Sequence, residues 1–174
     1  QSQAFPFFSG LQPAARALLD HGEWRSEDRG VHWELRHGDF LSQLNSAPKP
    51  ELIFFDFYPP ASTPALWGVE MFSRIRGHAD HAILYTYSAA TRVRAALLLA
   101  GFFVGYGRST DAKHETTVAS TDPGELDRPL EARWLARLER SHNCSPHGFS
   151  PTHGNDILQQ VNAHPQFNAG PIST

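Results

Sequence analysis

Apolar and polar positions along the chain change period several times, and each change marks an element. Residues 52–55 form an unbroken apolar run, which reads as a strand interior to a sheet that is covered on both faces. It breaks at Asp56, and Pro59 and Pro60 cannot donate ladder hydrogen bonds, so the strand must end there. Before it, residues 13–19 predict a short helix with Pro13 in its first turn, and residues 21–30 are polar and turn-like. Residues 31–35 alternate apolar and polar as a half-buried strand does, ending at Gly38-Asp39. After it, residues 64–76 predict a helix with Leu66, Trp67, Met71 and Ile75 on its apolar face. Residues 82–87 predict a strand, with Ser88 as N-cap of a helix through Ala100 that Gly101 stops. Residues 102–104 and 116–119 predict an antiparallel hairpin around a Gly/Arg-rich loop, followed by helices over 130–140 and 156–163.

Strand-helix-strand-helix-strand with a closing hairpin is an α/β order, that of a doubly wound sheet. Ligands bind such sheets at the carboxyl ends of the strands, where Asp56 falls. The pattern divides the chain into an α/β domain over residues 1–122 and a proline-punctuated helical and loop extension over 123–174, packed on it.

The chain has 174 residues, 40% hydrophobic and 19% charged, which is ordinary globular composition. A lone cysteine, Cys144, excludes a disulfide framework and points to a reducing, cytoplasmic setting. No apolar run approaches the roughly 20 residues of a membrane span. The first residues carry no signal-peptide pattern, and the missing initiator methionine predicts a processed chain or a fragment. A net charge of −3 gives no overall nucleic-acid footprint.

Several residues have both a structural and a functional reading. Asp56 is either a turn residue ending a strand before prolines or a catalytic carboxylate, and Tyr58 is either packing or a surface for a base or amine. Asp39 reads as an N-cap for a short helix through Leu44, as a carboxylate facing the ligand crevice, or as both. Arg133, Arg137 and Arg140 make a basic stripe opposite Trp134 and Leu138, to which Arg92, Arg94, Arg108 and Lys113 would add at the ligand edge. Such a stripe is either a solvated helix face or an RNA contact, and Lys113 with Glu115 equally suits a cross-strand ion pair. His142, Cys144, His147 and His153 are zinc-ligating types, but their spacing fits no usual zinc pattern, and no metal is assigned.

Asp56-Phe-Tyr-Pro-Pro60, Pro64-Ala-Leu-Trp67, Thr86-Tyr-Ser-Ala-Ala90, Ala100-Gly-Phe102, Gly107-Arg108 and Lys113-His-Glu115, in this order and spacing, resemble the MnmC-like methyltransferase family. That family makes the 5-methylaminomethyl group of the tRNA wobble uridine. The resemblance covers about residues 31–120, and Arg133-Trp-Leu-Ala-Arg137 is similar to family C-termini. It implies a Rossmann-like class I methyltransferase sheet with a C-terminal antiparallel hairpin, and S-adenosylmethionine as cofactor. By the same resemblance Gly38, Asp39 and Asp56 would bind the cofactor and Asp56 and Tyr58 would be catalytic. Arg108, Lys113, Arg133 and Arg137 would contact the tRNA.

The family's glycine-rich turn after its first strand and the acidic residue after its second have no counterpart in residues 1–30, and Phe57, Pro59 and Thr63 replace usual family residues. The expectation is therefore a sheet lacking its first two strands, completed by a missing N-terminal segment or a second copy. The alternative is a truncated, cofactor-free binding module without catalysis, and a weaker third reading is methylation of a small-molecule or protein amine.

Overall fold

The computed structural model describes residues 10–109, 115–142, 144–149 and 154–168. The chain divides into two compact units, Gln1–Ser46 and Ala47–Thr174.

In the first unit, helix α1 (Gln12–His21) opens with a proline and closes at Gly22, whose left-handed φ of 79° lets its N–H reach Leu18 O at 3.0 Å. Strands β1 (Glu23–Arg25) and β2 (His32–Glu34) then pair antiparallel, with Trp24 opposite Trp33 and their rings 5.2 Å apart. Two expectations are corrected here. Residues 21–30 are not simply turn-like, because they hold β1, and β2 is exposed along its length and forms a separate two-stranded sheet. Helix α1 packs against β1 and leaves β2 uncovered, so alternation alone overstated burial. Asp39 then caps helix α2 (Phe40–Leu44).

The second unit is built on a four-stranded sheet in the order β3 (Leu52–Phe54), β4 (Ile83–Thr86), β6 (Thr116–Ser120), β5 (Phe103–Gly107). The first pair is parallel and the other two antiparallel, and β5 and β6 form the expected hairpin. A 3₁₀ turn over Pro64–Trp67 leads into α3 (Val69–His78), so the single helix expected over 64–76 is broken at Gly68. Helix α4 (Thr91–Leu99) starts three residues after Ser88, with Ala90 and not Ser88 at the N-cap. Residues Val93 to Leu98 are all buried, because α4 packs on α3, β5, α5 (Ala132–Glu139) and α6 (Gly154–Asn162) at once. Helix α7 (Pro165–Asn168) follows.

The burial expected for β3 is reversed. β3 ends the sheet, and Leu52 and Phe54 are 53% and 76% exposed. Strand periodicity puts Leu84, Ala119 and Val104 on the helix-covered face, where all three are fully buried. Phe54, Tyr85 and Val118, in register across β3, β4 and β6, share the other face.

Residues after 122 are tied to the same unit as the sheet. The chain crosses to the outer edge of β5, where Tyr106 N–H donates to Arg128 O and Leu130 N–H to Val104 O, both at 2.8 Å. Gly105 permits this approach, since a Cβ there would stand 2.7 Å from Arg128 O. The side chain of Gln166 extends the tie, accepting from Val104 N and donating to Val104 O and Leu130 O.

Candidate active site

Asp56 is presented by an aromatic anchor. Phe55, directly after β3, is buried among Phe57, Trp67 and Phe72 with ring centroids 4.8, 5.0 and 5.1 Å away, and the next residue, Asp56, is exposed. The proline-containing loop behind it is held through its carbonyls. Tyr58 O accepts from Trp67 Nε1 at 2.9 Å and from Thr63 Oγ1 at 3.1 Å, while Phe57 O accepts from Tyr87 Oη at 3.0 Å. The ring of Tyr58 is left 77% exposed.

Two concavities meet at this point. A cleft of about 630 Å³ lies on the open face of the sheet, with Phe54, Tyr85 and Val118 as apolar lining, Asp56 and Arg108 among its charged residues, and Glu125 and Asp127 also lining it. A second hollow of about 410 Å³ is lined by Asp56, Phe57, Tyr58, Pro59 and Tyr87. Asp56 and Tyr87 line both. Burial, and then the negative charge of Asp56, push the Tyr87 phenol up from its usual value, so it stays protonated at neutral pH and acts as a donor. The arrangement offers an exposed carboxylate between two concavities with aromatic walls, suited to holding a cation on one side and taking a proton from the other.

A buried guanidinium organises the far side of the cleft. Arg94 is fully buried in α4 and donates to Thr117 Oγ1 (2.9 Å), Glu115 Oε1 (2.7 Å) and Thr116 O (2.9 Å). Tyr106 packs against two arginines, with the guanidinium carbons of Arg94 and Arg128 4.9 and 5.5 Å from its ring centre. Burial raises the Glu115 carboxyl, but the hydrogen bond and charge of Arg94, and then Arg137, outweigh it and hold the carboxyl below its ordinary range.

Of the residues singled out from sequence, Asp56, Tyr58 and Arg108 come together at this edge. Gly38 and Asp39 belong to the first unit. Asp39 caps α2, its Oδ2 accepting from Ser42 N at 2.9 Å and Ser42 Oγ at 3.0 Å, bonds that lower its pKa. Lys113 and His153 lie outside the described residues. Arg133 pairs with Glu131 at 2.9 Å and Arg137 with Glu115 at 3.5 Å, so both are engaged within the chain. Arg94 is buried and not at the surface, which corrects its place among residues that would add to a basic stripe. Glu115 is held by Arg94, and the alternative ion pair with Lys113 lies outside the described residues. Among the described residues no group of three or more His, Cys, Asp or Glu side chains could hold a metal. Sequence reasoning missed Tyr87, Glu125 and Asp127. Tyr87 could have been found, since it follows the strand parallel to β3 and the same strand-end rule applies to it. Glu125 and Asp127 arrive by the chain crossing after β6, which leaves no local pattern.

A family model described as S-adenosyl-L-methionine-dependent methyltransferase matches residues 16–122. The tRNA 5-methylaminomethyl-2-thiouridine biosynthesis bifunctional protein MnmC of Methylibium petroleiphilum is 34% identical over 87 residues, 49% of this chain and 13% of that protein. Its counterpart in Cupriavidus necator is 31% identical over 144 residues, 74% of this chain and 22% of that protein. The chain thus spans less than a quarter of these curated relatives. The crystal structure of MNMC2 from Aquifex aeolicus superposes with a TM-score of 0.62 at 25% identity, covering 84% of this chain and 50% of that one.

Proposed function

The chain belongs to the family of S-adenosyl-L-methionine-dependent methyltransferases, and we propose that it methylates the 5-aminomethyl nitrogen of the tRNA wobble uridine, with Asp56 as the catalytic carboxylate. The observation that carries this reading is the position of Asp56, exposed at the carboxyl end of β3 and lining both concavities. The names of the relatives from Methylibium and Cupriavidus supply the substrate class.

The larger cleft suits the cofactor. Phe54 and Tyr85 give a flat aromatic surface for a purine, and Asp56, Glu125 and Asp127 give carboxylates to a sulfonium cation and ribose hydroxyls. Bound there, S-adenosylmethionine would supply an electrophilic methyl carbon. The smaller hollow then receives the amine, with the exposed ring of Tyr58 as a surface for the uracil.

An alkylamine is mostly protonated at neutral pH, and only its free lone pair can attack a methyl carbon. Asp56 accepts the amine N–H groups, aims the lone pair toward the cleft and takes up at a carboxylate oxygen the proton that the nitrogen sheds. Tyr87 stays protonated and bonded to Phe57 O, which fixes the loop carrying Asp56 and Tyr58. Arg108 lines the cleft beside them and is assigned to the RNA.

The test combines calorimetric titration with S-adenosylmethionine and methyl transfer to tRNA from a strain lacking this modification, for wild type and Asp56→Asn. Loss of a positioned proton acceptor costs about 10²–10⁴-fold in rate, while an exposed side chain leaves the urea midpoint in place. Full activity of Asp56→Asn would refute the catalytic role. Absence of cofactor binding by the wild-type chain would favour the binding-module reading, for which the exposed Leu52 and Phe54 of β3 are the specific support.

A further inference from the structure

Arg92 lines a small pocket on the other side of the Asp56 loop. The pocket, about 200 Å³, is bounded by Pro60, Pro64 and Trp67 and carries three polar side chains, Arg92, Ser145 and His147. Arg92 is half-buried and its side chain forms no hydrogen bond or ion pair with any other described residue, whereas the side chains of Arg94, Arg133 and Arg137 all do. A guanidinium withdrawn partly from water without a counter-charge is costly unless an anion reaches it. Helix α4 adds to the positive potential, because it begins at Thr91 with Ala90 providing no side-chain cap for its first amides.

We infer that this pocket is a subsite for a backbone phosphate of the RNA substrate, with Arg92 as its main ligand and Ser145 and His147 as further donors. A guanidinium presents a planar fork of donors to two phosphate oxygens, and a hydroxyl and an imidazole N–H can reach the others. The location fits a nucleotide. The loop contributes Pro59 to the Asp56 hollow and Pro60 to this pocket, and the two are divided by one aromatic pair, Tyr87 and Trp67, with ring centroids 5.8 Å apart. A base in the Asp56 hollow would thus have a phosphate of its own strand within reach of Arg92. The inference rests on the RNA reading above and adds a residue that the basic stripe on α5 does not contain.

The test uses a fluorescein-labelled 17-nucleotide RNA hairpin with a seven-nucleotide loop, titrated with wild type, Arg92→Ala, Arg92→Lys and, as control, Arg74→Ala on the exposed side of α3. Circular dichroism and urea midpoints confirm that the variants fold. The expected result is about tenfold weaker binding by Arg92→Ala, partial recovery in Arg92→Lys and no change in Arg74→Ala. The slope of log affinity against log salt should become shallower by about 0.7 for the one phosphate lost. Equal binding by Arg92→Ala and wild type overturns the subsite and leaves the methyltransferase reading intact. Pyrophosphate is titrated in parallel, followed by tryptophan fluorescence. Pyrophosphate binding that depends on Arg92, in a chain that binds no hairpin, assigns the pocket to a free phosphate and overturns its RNA assignment. Binding of neither probe by wild type overturns the subsite outright, while cofactor titration separately decides the fate of the enzyme reading.

Discussion

The pair between Arg94 and Glu115 is the most stringent place to test the account of this fold. Glu115→Gln keeps the shape and an acceptor oxygen while removing the only carboxylate that the described residues place against the buried guanidinium. Breaking a fully buried pair by removing one partner costs about 3–5 kcal/mol. Here the side chain of Glu115 is 29% exposed, and Thr117 and the Thr116 carbonyl still accept from Arg94. Water and those acceptors reduce the cost to about 2 kcal/mol. With a urea m-value of about 1–3 kcal/mol per molar, the midpoint should fall by roughly 1 M. Arg137→Ala is the control, since its contact with Glu115 is exposed and should be worth at most about 1 kcal/mol. The pH dependence gives a second reading. The Glu115 carboxyl is held below its ordinary value of 4.5 in the folded chain, so the unfolded chain binds its proton at higher pH. Its contribution is therefore fully present above 4.5 and lost as pH falls through the folded value, and the variant should show a flatter acid limb. A midpoint within about 0.3 M of wild type, or an unchanged acid limb, would refute the reasoning.

Two further outcomes follow from the packing. Gly105→Ala should destabilise the chain by about 1–3 kcal/mol in urea titration, because the added carbon would meet Arg128 O at 2.7 Å and lift residues 128–130 from β5. His164 is held neutral by burial, its Nδ1 accepting from Gln166 N at 3.2 Å. Its folded pKa lies below the ordinary 6.5, so the stability it confers is complete above that value and drains as pH falls toward the folded one. Thermal melts at stepped pH should show this loss in wild type and a smaller one in His164→Gln.

Much of this was legible in the sequence wherever local pattern decides structure. The hairpin around its Gly/Arg-rich loop, the strand over 82–87 and the carboxylate left where Pro59 and Pro60 end β3 follow from local cues. Burial did not follow. Residues 52–55 have the composition of a doubly covered strand, yet Leu52 and Phe54 face outward, because which neighbours cover a strand is decided by chain far away in sequence. Ser88 was expected to cap α4 on residue type alone, but the helix starts later and the Ser88 carbonyl instead accepts from Thr117 Oγ1 at 2.6 Å. Arg94 looked like one more surface cation, since nothing local reveals that residues 93–98 of α4 are all buried.

The topology explains why the chemistry gathers where it does. β3 and β4 run parallel, so Asp56 and Tyr87 leave the sheet at the same edge. β5 runs antiparallel to β6, so its end at Gly107 and the beginning of β6 at Thr116 meet at that edge too. One edge thus collects a carboxylate, a phenol, Arg108 and, through the Arg94 hub, the fixed start of β6. It also decides which arginines remain for an anionic partner. Arg133 and Arg137 on α5 are held by Glu131 and Glu115, so they offer little net charge to RNA. Arg92 and Arg108 flank the Asp56 loop and form no ion pair with other described residues. Arg108 shares its cleft with Asp56, Glu125 and Asp127, whereas the pocket of Arg92 is lined by no carboxylate, so for the nucleic-acid partner proposed above a chain of net charge −3 offers its local positive field at Arg92.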